Sequence, residues 1–274
     1  MKLSLHGVSV WYSNAVTQLR IAQETGFSSL EILPEHLYRY LDNGGSYAAF
    51  RQLMAQHHID VTCINALKRI GRHQPEARAE LLREAEQICQ AAVELRCPLV
   101  QIMALTELDQ LPAAERDAIL LDNISAIADI GKAHGIKFQI EVVAFTAFNS
   151  LQQALDLIAR SGKDNLGVVV DFWHLHAGGG TTPDEVAQMD KNLIYGVHFC
   201  DGRAAHPDEA WDEWVQRNYA PGEGDVDIAA WVAAVKATGY DGVWSPELLS
   251  PRHWEHDLWD ISRSCLDSMR KYIN

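Results

Sequence analysis

Cysteine is scarce and carries no pairing pattern. The five thiols, Cys63, Cys89, Cys97, Cys200 and Cys265, are odd in number and form no C-x-x-C pair. That argues against a disulfide framework and a thiolate zinc site, and leaves reduced, buried thiols as the reading. Positive charge is also short: 23 Lys and Arg stand against 37 Asp and Glu, a formal net charge of −14. A field of that sign repels phosphate backbones, so nucleic acid is not the expected partner. No run approaches the roughly 18 apolar residues of a membrane span. Residues 1–6 lack the apolar core of a secretion signal, so a cytoplasmic, membrane-free protein is expected. No G-x-G-x-x-G follows the first apolar run, which counts against a doubly wound dinucleotide-binding sheet.

What is present is a regular alternation. Apolar content of 47% and 22% charged residues suit a globular chain that buries its core without staples. Short strand-like runs occupy residues 2–10, 29–33, 60–67, 99–103, 137–143, 166–171, 194–199 and 242–248. Amphipathic or glycine-stopped helical segments follow each, at 14–25, 46–57, 76–95, 112–134, 151–160, 184–189, 228–238 and 257–272. Runs such as Val168-Val169-Val170 are apolar on both faces, as parallel strands covered by helices require. Length and pattern together predict one domain, residues 1–274, an α/β chain folded as a single (β/α)8 TIM barrel.

Four residues stand at or near the C-terminal ends of the last four strands: Glu141, Asp171, His198 and Glu247, spaced 30, 27 and 49 residues apart. In a parallel barrel those ends converge on one mouth. A single acid at a strand end is commonly an ordinary loop carboxylate. Glu141, however, lies between Phe138-Gln139-Ile140 and Val142-Val143, and His198 between Val197 and Phe199, settings costly for a polar group without a partner. Three carboxylates and one imidazole make a hard site for one divalent cation. Mn2+ or Mg2+ are favoured by ligand hardness, while Co2+, Zn2+ and Fe2+ are compatible with the imidazole.

Other groups fall where substrate-positioning side chains belong. His6, Glu31, Asn65 and Gln101 lie near the ends of strands one to four. Arg203 offers a planar fork suited to hydroxyls or a carboxylate, against the plainer reading of a surface ion pair. The basic stretch Lys68, Arg69 and Arg72 is commonly a solvated face, but would matter to an anionic substrate. Trp11, Trp173, Trp211 and Trp254 fall in loops on the same side, where they would wall a sugar ring, meet a homodimer or homotetramer partner, or simply pack the loops.

The set Glu141, Asp171-x-x-His174, His198 and Glu247 resembles the xylose-isomerase-like barrel superfamily over essentially the whole chain. The segment 164–177, the stretch Pro221-Gly222-Glu223-Gly224, Asp227 and Glu247-Leu248-x-x-Pro251 look closest to its inosose (2-keto-myo-inositol) isomerase branch. The resemblance implies a metal held by Glu141, Asp171, His198 and Glu247, with Glu141 and Glu247 as an acid/base pair. It implies a substrate contact or metal support from His174 and a small keto-sugar or keto-cyclitol as partner. The activity implied is isomerisation or epimerisation by proton transfer through an enediolate. A dehydratase acting on a dehydroshikimate-like or keto-inositol substrate shares the scaffold and is the alternative.

Overall fold

In the computed structural model, which describes residues 1–273, the apolar runs close into a barrel of eight parallel strands. They are β1 Lys2–His6, β2 Ser29–Ile32, β3 Asp60–Lys68, β4 Leu99–Met103, β5 Lys137–Glu141, β6 Leu166–Asp171, β7 Ile194–Phe199 and β8 Val243–Pro246. Each pairs with its sequence neighbour, and β1 closes on β8 with Lys2 opposite Val243 and Leu3 opposite Trp244. The fold is therefore a (β/α)8 barrel.

The helices outside it are α1 Ala15–Thr25, α2 Pro34–Asp42, α3 Tyr47–His57, α4 Pro75–Leu95, α5 Ala113–His134, α6 Leu151–Ser161, α7 Phe172–Gly178, α8 Pro183–Ala187, α9 Glu213–Gln216, α10 Ile228–Ala237, α11 Pro251–Trp254 and α12 Leu258–Ile273. Their ends follow local chemistry. The Asn14 side chain accepts the Thr17 N–H to open α1, and Ser150 with Gln153 forms a capping box on α6. Gly26 closes α1 at φ 97°, a left-handed backbone that suits glycine. Among the described residues no helix is long and apolar enough to cross a membrane.

Strand alternation divides each strand between two environments. On β5, Phe138 and Ile140 are fully buried in the layer between sheet and helices. Gln139 and Glu141, the intervening residues, point into the barrel, where Gln139 donates to Gln101 of β4 at 2.6 Å. Apolar residues thus hold the helices on, and polar residues fill the lumen toward the mouth.

Three expectations change. The first strand stops at His6, because Gly7–Val10 wind into a 3-10 turn in which the Val8 amide donates to His6 Nδ1. Residues 34–42, which lie between the expected strand at 29–33 and the expected helix at 46–57, form a further helix, α2, with Pro34 in the first turn where its missing N–H costs nothing. The runs 137–143 and 242–248 pair only as far as Glu141 and Pro246. Glu141 is thus the last residue of its strand, and Glu247 the first beyond its own.

Candidate metal centre

Register brings the four residues together. Asp171 and His198 stand opposite one another on β6 and β7, Met103 stands opposite Glu141, and the Glu247 amide donates to the Phe199 carbonyl at 3.1 Å. His198 Nδ1 lies 3.3 Å from Glu141 Oε1, 3.5 Å from Asp171 Oδ2 and 3.3 Å from Glu247 Oε2. One atom from each of the four falls within 4.8 Å of every other. All four residues are buried.

The remaining atoms of these side chains are already committed. Asp171 caps α7: its Oδ1 accepts the His174 amide at 2.6 Å and the Cys200 thiol at 3.3 Å, which turns Oδ2 to the centre. Glu141 Oε2 accepts from Gln101 Nε2 at 2.9 Å, and Gln101 Oε1 accepts from Gln139, which fixes the amide's orientation. His198 Nε2 faces Glu31 Oε1 at 3.2 Å. Among the described residues, Glu141 Oε1, Asp171 Oδ2 and His198 Nδ1 are buried without a hydrogen-bond partner. Three carboxylate oxygens, from Glu141, Asp171 and Glu247, thus turn toward one imidazole nitrogen. An ion of the hard, divalent kind fits that donor set.

Arg217, carried by the insertion between β7 and α10, supplies the nearest positive charge. Its Nη2 donates to Glu247 Oε2 at 2.7 Å and lies 3.5 Å from Asp171 Oδ2; Nη1 lies 3.2 Å from Glu213 Oε1. The guanidinium sits 5.0 Å from the Trp173 ring centroid, and among the described residues its Nε has no hydrogen-bond partner. Burial opposes ionisation of Glu247, but Arg217, then His198 and His6, hold it well below the usual carboxylate range. Glu141 goes the other way: burial, with Glu247's negative charge adding to it, raises its proton affinity. Burial also disfavours a charged His198, yet Glu247 and Glu31 outweigh this and hold its pKa well above the ordinary imidazole value.

Above the cluster opens a cavity of about 230 Å³ walled by Trp11, Trp214, Trp254 and Leu249. His6, Asn65, His174, Glu141 and Glu247 reach it, together with Lys68, Glu213 and Arg217. His174 accepts the Ala144 amide at Nδ1, 3.2 Å, and His6 Nε2 lies 3.4 Å from Glu247 Oε1. Larger open grooves of about 790 and 770 Å³ lie elsewhere on the surface and contain none of the four cluster residues.

Three expected substrate contacts, Glu31, Gln101 and Arg203, fall outside the cavity lining. Gln101 does not line the cavity; it stands behind Glu141 and donates to it. Arg203 is also outside the lining, its fork taken by both oxygens of Glu209 at 2.6 Å. Arg217 is the arginine that reaches the site. Its position in an aperiodic insertion offers no strand-end signal, and only Glu213, four residues before it in a helical pair, marks the local order.

A family model described as a xylose isomerase-like TIM barrel matches residues 19–269. The inosose isomerase of Halalkalibacterium halodurans is 24% identical over 276 residues, covering 96% of this chain and 92% of that protein. The 3-dehydroshikimate dehydratase of Pseudomonas aeruginosa is 27% identical over 236 residues, 85% of this chain but 36% of that protein. A crystal structure of the IolI protein with a bound zinc atom superposes with a TM-score of 0.92 at 23% identity, covering 100% of this chain and 98% of the other. At that identity the likeness speaks to the fold alone.

Proposed function

The chain belongs to the xylose isomerase-like TIM barrel family, and from that premise we propose that it is a divalent-metal-dependent isomerase of a small keto-cyclitol or keto-sugar. The observation that carries the reading is the convergence of Glu141 and Glu247 on one orphaned donor cluster at the floor of a cavity large enough for a single ring. Names of the relatives agree with it: four curated proteins about 25% identical to this chain are inosose isomerases.

Glu141, Asp171, His198 and Glu247 would hold the ion, with Mn2+ favoured by three carboxylates and Mg2+, Co2+ or Zn2+ compatible. When bound there, a divalent cation polarises a ketone and its neighbouring hydroxyl and acidifies the intervening C–H. The proton itself moves on carboxylates. Glu141, whose proton affinity burial raises, takes it from one carbon and returns it to the adjacent carbon of the enediolate, with the ionised Glu247 facing it as the other member of the pair. Arg217 keeps Glu247 ionised and in place. His174 and Asn65 contact substrate oxygens from the cavity wall, and the tryptophans exclude water.

The cavity's charges favour an uncharged polyol. Arg217 is paired with Glu247 and Glu213, and Lys68 with Glu35 at 3.0 Å. A carboxylated substrate would therefore have to displace an existing partner. The dehydratase reading has the Pseudomonas aeruginosa relative behind it; for its dehydroshikimate-like substrate, as opposed to a keto-inositol, the cavity's Arg217 and Lys68 are both already paired.

Proton exchange tests both. Mn2+-reconstituted protein is incubated in D2O with keto-inositols, ketoses and dehydroshikimate and followed by NMR, alongside Glu141→Gln and Glu247→Gln. Deuterium entering beside a carbonyl without loss of water, absent in both variants, is the expected result. An enone or aromatic product would move the protein to the lyases, and no exchange in any substrate would remove the proposed chemistry.

A further inference from the structure

We propose that Glu31 is the positioning residue of the metal centre: a buried carboxylate on the opposite side of the barrel that sets which nitrogen of His198 faces the ion and strengthens that nitrogen as a ligand. The inference rests on the reading that the cluster holds a divalent cation.

The geometry is specific. Glu31 is the third residue of β2 and is buried. Its Oε2 accepts from Ser245 Oγ at 2.7 Å, and its Oε1 accepts from Asn65 Nδ2 at 3.1 Å and faces His198 Nε2 at 3.2 Å. Strands β2, β3, β7 and β8 thus meet on one carboxylate. A carboxylate can only accept, so the His198 nitrogen it faces must carry the proton. The other nitrogen, Nδ1, looks onto Glu141, Asp171 and Glu247 without a hydrogen bond to any of them, so it is the one that gives its lone pair when a cation stands among those oxygens. A negative charge behind a ligating imidazole fixes its ring orientation and raises its basicity toward the metal.

His6, Glu31 and His198 are also close enough to suggest an ion of their own. That alternative fails on donor count. Glu31 already accepts three hydrogen bonds on its two oxygens, and His198 Nε2 cannot both donate to Glu31 and give a lone pair to a cation. Glu31 therefore acts through His198 and does not join the ligand set.

The experiment is zinc binding with a chelator competition, run on wild type, Glu31→Gln and Ser245→Ala, with Asp171→Asn as the control for the centre. Wild type is expected to bind one equivalent, Asp171→Asn to lose it, and Glu31→Gln to bind about 10- to 100-fold more weakly with the one-site stoichiometry kept. Ser245→Ala, which leaves the carboxylate but removes one donor, falls between. A second readout uses the zinc-loaded wild type: 15N NMR of the imidazoles should show His198 protonated at Nε2, in a strong hydrogen bond, and metal-bound at Nδ1. Unchanged affinity in Glu31→Gln, a His198 bound through Nε2, or a second zinc equivalent lost with Glu31 would each overturn the proposal while leaving the metal centre standing. No zinc binding by wild type would overturn both.

Discussion

Arg217 and Glu247, thirty residues apart in sequence, meet in a buried ion pair at 2.7 Å, and the oxygen Arg217 holds is one of those turned toward His198 Nδ1. The guanidinium and a bound cation would therefore share the same carboxylate. Removing one partner of a buried pair leaves an uncompensated charge, which typically costs about 3–5 kcal/mol. Arg217→Met is expected to lower the urea midpoint of the metal-free protein accordingly. Added Mn2+ should recover more of that loss in the variant than it adds to wild type. Equal gains in both would mean that Arg217 and the ion do not act on the same charges.

Gln101 donates to Glu141 at 2.9 Å and does not line the cavity. Gln101→Leu leaves Glu141 Oε2 without a partner, at a cost of about 1–3 kcal/mol. It also raises further a carboxyl that burial already holds above its ordinary value. A base must be ionised to act, so the acid limb of kcat/KM should move to higher pH in this variant. An unmoved limb would detach Glu141 from the base role.

Glu31 gives the acid-stability prediction its sign. Burial alone would raise its pKa, but His198 and His6, with Ser245, bring it from 4.5 down to about 2. A depressed folded-state pKa contributes stability above the unfolded value, and that stability is lost as pH falls from 4.5 toward about 2. Chemical-denaturation midpoints measured across that window should decline, and Glu31→Gln should show a shallower decline. The raised pKa of His198 acts in the other direction. Its share in the metal-free protein is complete below the unfolded value of 6.5 and fades as pH rises through the higher folded value.

Lys68 discriminates the substrate classes. Its ammonium is half exposed and paired with Glu35. Such surface pairs contribute about 0–1 kcal/mol. With an uncharged polyol, Lys68→Ala should change KM by less than about fivefold, the same range expressed as affinity. A tenfold or larger rise confined to a carboxylated substrate would favour the dehydratase.

Much of this protein is written locally. A parallel strand buried on both faces must be a short apolar run, so Val168-Val169-Val170 and its counterparts mark the barrel directly. An acid or histidine at the end of such a run, as at Glu141, Asp171 and His198, stands out because burial makes an unpartnered polar group costly. The helix at Pro34–Asp42 carries one local mark, Pro34 where a helix N-terminus accepts it, and lies between the expected strand at 29–33 and the expected helix at 46–57.

What one-dimensional pattern does not contain is convergence. Nothing near Arg203 or Arg217 in the chain says which of them Glu209 will capture and which will reach Glu247, because both lie in an insertion without periodicity. Nor does the run Ser29–Ile32 reveal that Glu31 will lie behind His198, 167 residues away. Strand identity follows from the local balance of burial and backbone geometry. The partner of each charge follows from barrel closure and register, which join β2 to β7 across the lumen and exist only once the chain has folded.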